Sequence, residues 1–312
     1  PKPHERPDVV LNGEAAGDAF GYAVSSAGDV NRDGYADVIV GAYENSARGA
    51  GAGRAYIFYG GPRPDGVPDA VLNGEAAGDR FGISVSGAGD VNGDGFADVV
   101  VGAYQNDAGG TDAGRAYVFY GGARPHDRPD LTLTGATAGD SFGFSVAGVG
   151  DTNKDGFADV AVGAYHNAAG GKDAGRVYLY YGGTAPSDKA ALVWTGEAAG
   201  DAFGYAVSGA GDANGDGFAD LAVGAYGNDA GGSAAGRGYV FFGGPAADAI
   251  PDFTQTGEAT LDNLGFAISG AGDVDGDGSA DLVVGAPYAD GDAGRGYLIR
   301  NLGGKSRPVA SR

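Results

Sequence analysis

The chain has no cysteine and no methionine, one tryptophan and three histidines in 312 residues. Without cysteine there are no disulfides, thiolate metal sites or cysteine nucleophiles. His4, His126 and His166 do not cluster, which argues against a histidine metal site or a catalytic triad. The missing methionine at position 1 suits a mature or trimmed fragment, as after loss of a signal peptide. Basic residues are scarce: 20 Lys and Arg stand against 41 Asp and Glu, a net charge of −21. Such a surface repels phosphate backbones, so nucleic acid is not an expected partner. No apolar run approaches the ~18 residues that a spanning helix needs, so no membrane insertion is expected. No segment sustains a 3.6-residue apolar period, which argues against helices.

Glycine is in excess, at 64 residues, but it follows no Gly-X-Y period. It follows an internal repeat instead. The segment AGDVNRDGYADVIVGAY, with its first aspartate at Asp29, recurs with first aspartates at Asp90, Asp151, Asp212 and Asp273, each 61 residues after the last. So even a spacing implies recent duplication or design. Each unit reads as four short strands bounded by Gly, Asn, Asp or Pro. In the first unit these are A (Phe20 to Ser26), B (Val38 to Val40), C (Arg54 to Tyr59) and D (Asp69 to Asn73).

Four short strands repeated five times predict an all-β fold: a five-bladed β-propeller of four-stranded antiparallel blades. The chain opens on a D-like segment, Val9 to Asn12, and its last recognisable strand is C-like, Tyr297 to Ile299. The N-terminal strand is therefore expected to complete the last blade and close the ring, which would remove two sheet edges. The alternative, an arc cut from a larger ring, is ranked lower because the last copy has diverged: Leu264 replaces Phe, and Pro287 replaces Tyr. Residues 1–305 are expected to form one domain and 306–312 a tail.

Each unit carries D-x-[ND]-x-D-G-x-x-D between strands A and B. The candidate metal ligands are Asp29, Asn31, Asp33 and Asp37, with the carbonyl of Tyr35; Asp90, Asn92, Asp94 and Asp98, with Phe96; and Asp151, Asn153, Asp155 and Asp159, with Phe157. The last two sets are Asp212, Asn214, Asp216 and Asp220, with Phe218, and Asp273, Asp275, Asp277 and Asp281, with Ser279. Oxygen donors at this spacing suit calcium, so five Ca2+ sites are expected, and the glycine at position 6 permits the turn. An EF-hand would need Glu at position 12, where these loops place Val40, Val101, Val162, Val223 and Val284. No open coordination position or adjacent acid–base group is evident, so the metal reads as structural.

The series Phe20-Gly21, then Asp29-x-Asn31-x-Asp33-Gly34-x-x-Asp37, then Gly41-Ala42-Tyr43 resembles the FG-GAP repeat of integrin α-subunit propellers. Related repeats occur in bacterial secreted proteins and integrin-like fungal lectins. The resemblance covers nearly the whole chain and implies a calcium ion in each A–B loop. Two departures keep ligand specificity from being carried over: four copies have Tyr where the motif has Pro, and the integrin ring has seven blades.

The B–C and D–A loops share the face opposite the acidic loops. There Tyr43-Glu44-Asn45 and its equivalents at Tyr104, Tyr165 and Tyr226 offer adaptable contacts for protein or sugar, or else pack between blades and cap turns. Arg54, Arg115, Arg176, Arg237 and Arg295 suit structural pairs with carboxylates better than a ligand grip. Trp194 is expected in blade packing. No unique set of acid, base and nucleophile breaks the symmetry, so no enzyme is expected. The resulting expectation is a calcium-stabilised, extracellular or cell-surface binding and adhesion module, monomeric, with a protein or glycan ligand on the B–C/D–A face. A lectin is the alternative, and a propeller hydrolase or lyase the least favoured reading.

Overall fold

The computed structural model describes residues 7–124 and 126–303; the expected tail at 306–312 and His4 lie outside them. Every named strand belongs to an antiparallel sheet formed by consecutive strands. The first blade comprises β1 (Ala23–Gly28), β2 (Asp37–Ala42), β3 (Arg54–Phe58) and β4 (Ala70–Asn73), in that spatial order. The second comprises β5 (Ser84–Gly89), β6 (Asp98–Ala103), β7 (Arg115–Phe119) and β8 (Leu131–Thr134). The third comprises β9 (Ser145–Gly150), β10 (Asp159–Ala164), β11 (Arg176–Tyr180) and β12 (Leu192–Thr195). The fourth comprises β13 (Ala206–Gly211), β14 (Asp220–Ala225), β15 (Arg237–Phe241) and β16 (Phe253–Thr256). The fifth has three strands: β17 (Ala267–Gly272), β18 (Asp281–Ala286) and β19 (Arg295–Ile299).

The first strand of each blade starts later than the sequence reading placed it. Gly21 adopts φ +86°, and Ala19 before it is also left-handed, so Phe20-Gly21 forms a turn ahead of β1. That turn drops the aromatic ring between blades: Phe81 and Phe142 are buried, each meeting two aromatic rings from the third strand of its own blade. Each first strand ends in a bulge, between Ser26 and Gly28 in β1, which redirects the chain into the acidic loop.

Successive first strands pack on one another, β1 on β5, β5 on β9, β9 on β13 and β13 on β17, so they line the inner side of the blade series. Apolar clusters sit between consecutive blades; Ile39, Ile57 and Leu72 of the first meet Phe81, Val99 and Phe119 of the second. Glycine lets the backbones approach there. A Cβ on Gly41 would lie 2.0 Å from the carbonyl oxygen of Gly82, and Gly102, Gly163 and Gly224 face the same obstacle in their own junctions.

The expected ring closure is not present among the described residues. Val9 to Asn12 has no strand, and the fifth sheet ends at β19. Leu11 packs on Val40, Tyr56 and Phe58 of the first blade, as Leu72 packs on Val101, Tyr117 and Phe119 of the second. β1 and β17 do not pack as the other successive first strands do.

Candidate functional site

The acidic loop builds from its own backbone. In the first copy Asp29 accepts the amides of Asp33 at 3.0 Å and Gly34 at 2.8 Å through its two carboxylate oxygens. The Asn31 side-chain oxygen accepts the Asp33 amide, and Asp33 accepts the amide of Tyr35. Arg32 and Gly34 are left-handed, so the chain curls around its own carboxylates. The same bonds recur around Asp90, Asp151, Asp212 and Asp273.

Position 9 lies beneath the loop. Asp37 is buried and accepts the amides of Val30 at 2.8 Å and Gly60 at 2.7 Å, tying the loop to the end of the third strand. Asp98, Asp159 and Asp220 repeat both bonds. Burial pushes the Asp98 carboxyl up to about 7 and Asp220 to about 6; backbone hydrogen bonds oppose the rise, and the neighbouring loop aspartates add to it. Burial raises Asp37 and Asp159 as well. A nearby cation would favour the charged form of each.

The fifth loop tests the fit to a metal most directly. Carboxylate oxygens of Asp273, Asp275 and Asp281 lie within 4.8 Å of one another. Asp281 is buried, accepts the Val274 amide through one oxygen, and has no hydrogen-bond partner at the other. A cluster of carboxylates over an unsatisfied buried oxygen suits a hard cation with oxygen ligands. Asp277 is not part of that cluster; its Oδ1 accepts the Ser279 amide.

At the opposite end of the blades lies an aromatic belt. Phe144 meets Tyr104, Tyr165 and Tyr205 with ring centroids 5.6, 4.5 and 5.0 Å apart. Tyr205 continues to Tyr226 at 4.6 Å and Phe266 at 5.0 Å. Tyr22 and Tyr43 pair at 4.7 Å, and the Arg80 guanidinium lies over Tyr43. The expected tyrosines are therefore partners of aromatic residues that follow the Phe-Gly turns, Tyr22, Phe144 and Tyr205, and of Phe266 after Leu264-Gly265. Burial among these rings pushes the Tyr165 hydroxyl up to about 12.

Asn45, Asn106, Asn167 and Asn228 do cap turns, and they are buried. Asn45 donates to Asp18 at 2.7 Å and accepts the Ala47 amide. Asp79, Asp140 and Asp201 accept the same bond from Asn106, Asn167 and Asn228, and the recurring Gly-Asp before each Phe-Gly turn is their signal in the sequence. Arg54, Arg115, Arg237 and Arg295 pair with Glu14, Glu75, Glu197 and Glu258. Arg176 donates to Thr195, as Arg115 and Arg237 do to Thr134 and Thr256, but Ala136 stands where the other copies carry the glutamate. Trp194 is buried, donates to the Asp248 carbonyl and packs 5.0 Å from Phe241, as expected of a blade-packing residue.

The FG-GAP repeat family matches at residues 20–58, 81–119, 142–180, 203–241 and 265–299. Human integrin alpha-6 is 34% identical over 164 residues, covering 52% of this chain and 14% of that protein. Integrin alpha-5 of Xenopus laevis is 32% identical over 228 residues, 67% of this chain and 20% of the relative. Human integrin alpha-IIb is 36% identical over 163 residues, 50% of this chain and 16% of the relative. The chain thus spans a fifth or less of the length of these relatives. With five matched repeats coinciding with five sheets, the chain belongs to the FG-GAP repeat family and forms integrin-like propeller blades.

Proposed function

We propose that this chain is a non-catalytic, calcium-stabilised binding and adhesion module of the cell exterior, with residues 1–305 as its single domain. The observation that carries the reading is the separation of the two ends of the blades. One end concentrates carboxylates in five like loops; the other presents a run of touching aromatic rings from Tyr104 to the exposed Phe266, with the exposed Tyr22 paired to Tyr43. Calcium would be held at the first end by the side chains at loop positions 1, 3, 5 and 9 and the carbonyl at position 7, and would neutralise their mutual repulsion. Kinship with integrin α chains, which are cell-surface proteins, supports the adhesion reading. Aromatic faces with adjacent polar groups bind proteins well, since rigid rings lose little entropy on contact. They also stack on sugar rings, which keeps a lectin as the second reading.

The test is a screen of the calcium-loaded chain on arrays of extracellular proteins and of glycans, beside Phe144→Ala/Tyr205→Ala. Binding to a protein that the double variant loses supports the proposal, and a glycan lost in the same way selects the lectin. Binding unchanged by the double variant overturns the assignment of the face.

A further inference from the structure

The two ends of the blade series expose apolar residues whose equivalents are buried in the internal junctions. On the fifth blade Val283 and Leu298 are 41% and 48% exposed. Their equivalents in the first four blades, Ile39 and Ile57 through Ala222 and Val240, are buried against the next blade. On the first blade Val24 and Val38 are 65% and 39% exposed, while their equivalents Val85 and Val99 are buried against the preceding blade.

The shapes correspond as well. Val9, Leu11, Val38, Phe58 and Tyr59 line an open groove of about 430 Å³ on the first blade. Between the first two blades the equivalent space shrinks to about 20 Å³, because Val30, Ile57 and Tyr59 of the first blade line it from the other side. The fifth blade exposes the counterparts of the first two, Val274 and Leu298. Gly285 points the same way. Its equivalents must be glycine because the next blade's carbonyl would lie about 2 Å from a Cβ, but a Cβ on Gly285 would meet only Ala267, at 3.6 Å.

We propose that the free face of the fifth blade docks on the free face of the first blade of a second copy of this chain. Val9 to Asn12 of that copy then adds the fourth strand beside β19, as β4 lies beside β3. The occupant is a second copy because the same pair of faces already joins the blades of one chain four times over. Repetition of a head-to-tail joint gives either a closed ring of copies or a filament.

Sedimentation velocity of the 312-residue chain in calcium, across a concentration series, tests this. The expected result is concentration-dependent association of the unaltered chain. Val24→Asp, Leu298→Asp and Gly285→Ala should each stay monomeric with unchanged circular dichroism, since Val24 and Leu298 are exposed in the single chain and a Cβ on Gly285 makes only ordinary contact with Ala267. Mixing Val24→Asp with Leu298→Asp leaves one intact joint and should give a 1:1 dimer that grows no further. A chain monomeric at every concentration, a mixture that stays monomeric, or single variants that assemble like the parent would each overturn the proposal. Closure within one chain would appear as a monomer whose Val9–Asn12 amides are protected from hydrogen exchange, and would overturn it too.

Discussion

The same residue type carries opposite consequences at different places in this chain. Gly163→Ala would drive a methyl into the Gly204 carbonyl of the next blade and is expected to cost about 1–3 kcal/mol. Gly285→Ala meets no such obstacle and should leave the single chain's stability unchanged or raise it by about 0.5 kcal/mol, through the smaller entropy of the unfolded chain. Urea melts of the two variants check the pair, and equal losses would contradict it. The buried loop aspartates give a second test. The folded values of Asp98, about 7, and Asp220, about 6, lie above the ordinary carboxyl value. The folded chain therefore holds protons that the unfolded chain releases between roughly pH 4 and 7, and without metal its stability falls as pH rises through that window. In chelator the melting temperature should drop from about pH 5 to about pH 7.5, less steeply in Asp98→Asn; saturating calcium should remove the drop. A profile flat in chelator would contradict this. The acidic loops were legible because five copies repeat every oxygen-bearing side chain. Asp18 and its equivalents were signalled only by a recurring Gly-Asp pair, which looks like an ordinary turn until Asn45, 27 residues away, is seen to donate to it.

At the scale of strands and segments, equivalent sequence has not produced equivalent structure. Ala70–Asn73 is a strand because β3 offers it a free edge, at the register Ile57 to Ala70 and Arg54 to Asn73. Val9 to Asn12 has the same character but no paired edge, and it packs on the first blade through Val9 and Leu11. Strand existence was readable from the β-branched and aromatic runs; the pairing of the chain ends was not, because it depends on how far each blade rotates from the last. Leu72→Ala, at a fully buried site in a paired strand, is expected to cost about 2–5 kcal/mol. Leu11→Ala in the single chain should cost about 1 kcal/mol or less, being half-buried and outside any sheet. Thermal melts of the dilute proteins compare them, and a Leu11 loss matching that of Leu72 would mean that the N-terminal segment is paired after all.

For the whole molecule, stability is expected to add up over blades and junctions, as in other repeat arrays. Calcium should raise the melting temperature by binding the folded loops. Asp33→Ala should remove part of that gain, and the same change at Asp33, Asp94, Asp155, Asp216 and Asp277 together most of it. Calorimetry with calcium and with chelator, beside a metal count, provides the check; fewer than three ions per chain, or melting indifferent to chelator, would refute structural calcium. The uniform junction also bears on how such chains change over generations. The four internal junctions are built from apolar side chains at equivalent positions and the same glycine. An in-register recombination that gains or loses 61 residues would leave every surviving junction intact. Blade number in this lineage can therefore change by whole units in single steps, without passing through a form that lacks a core.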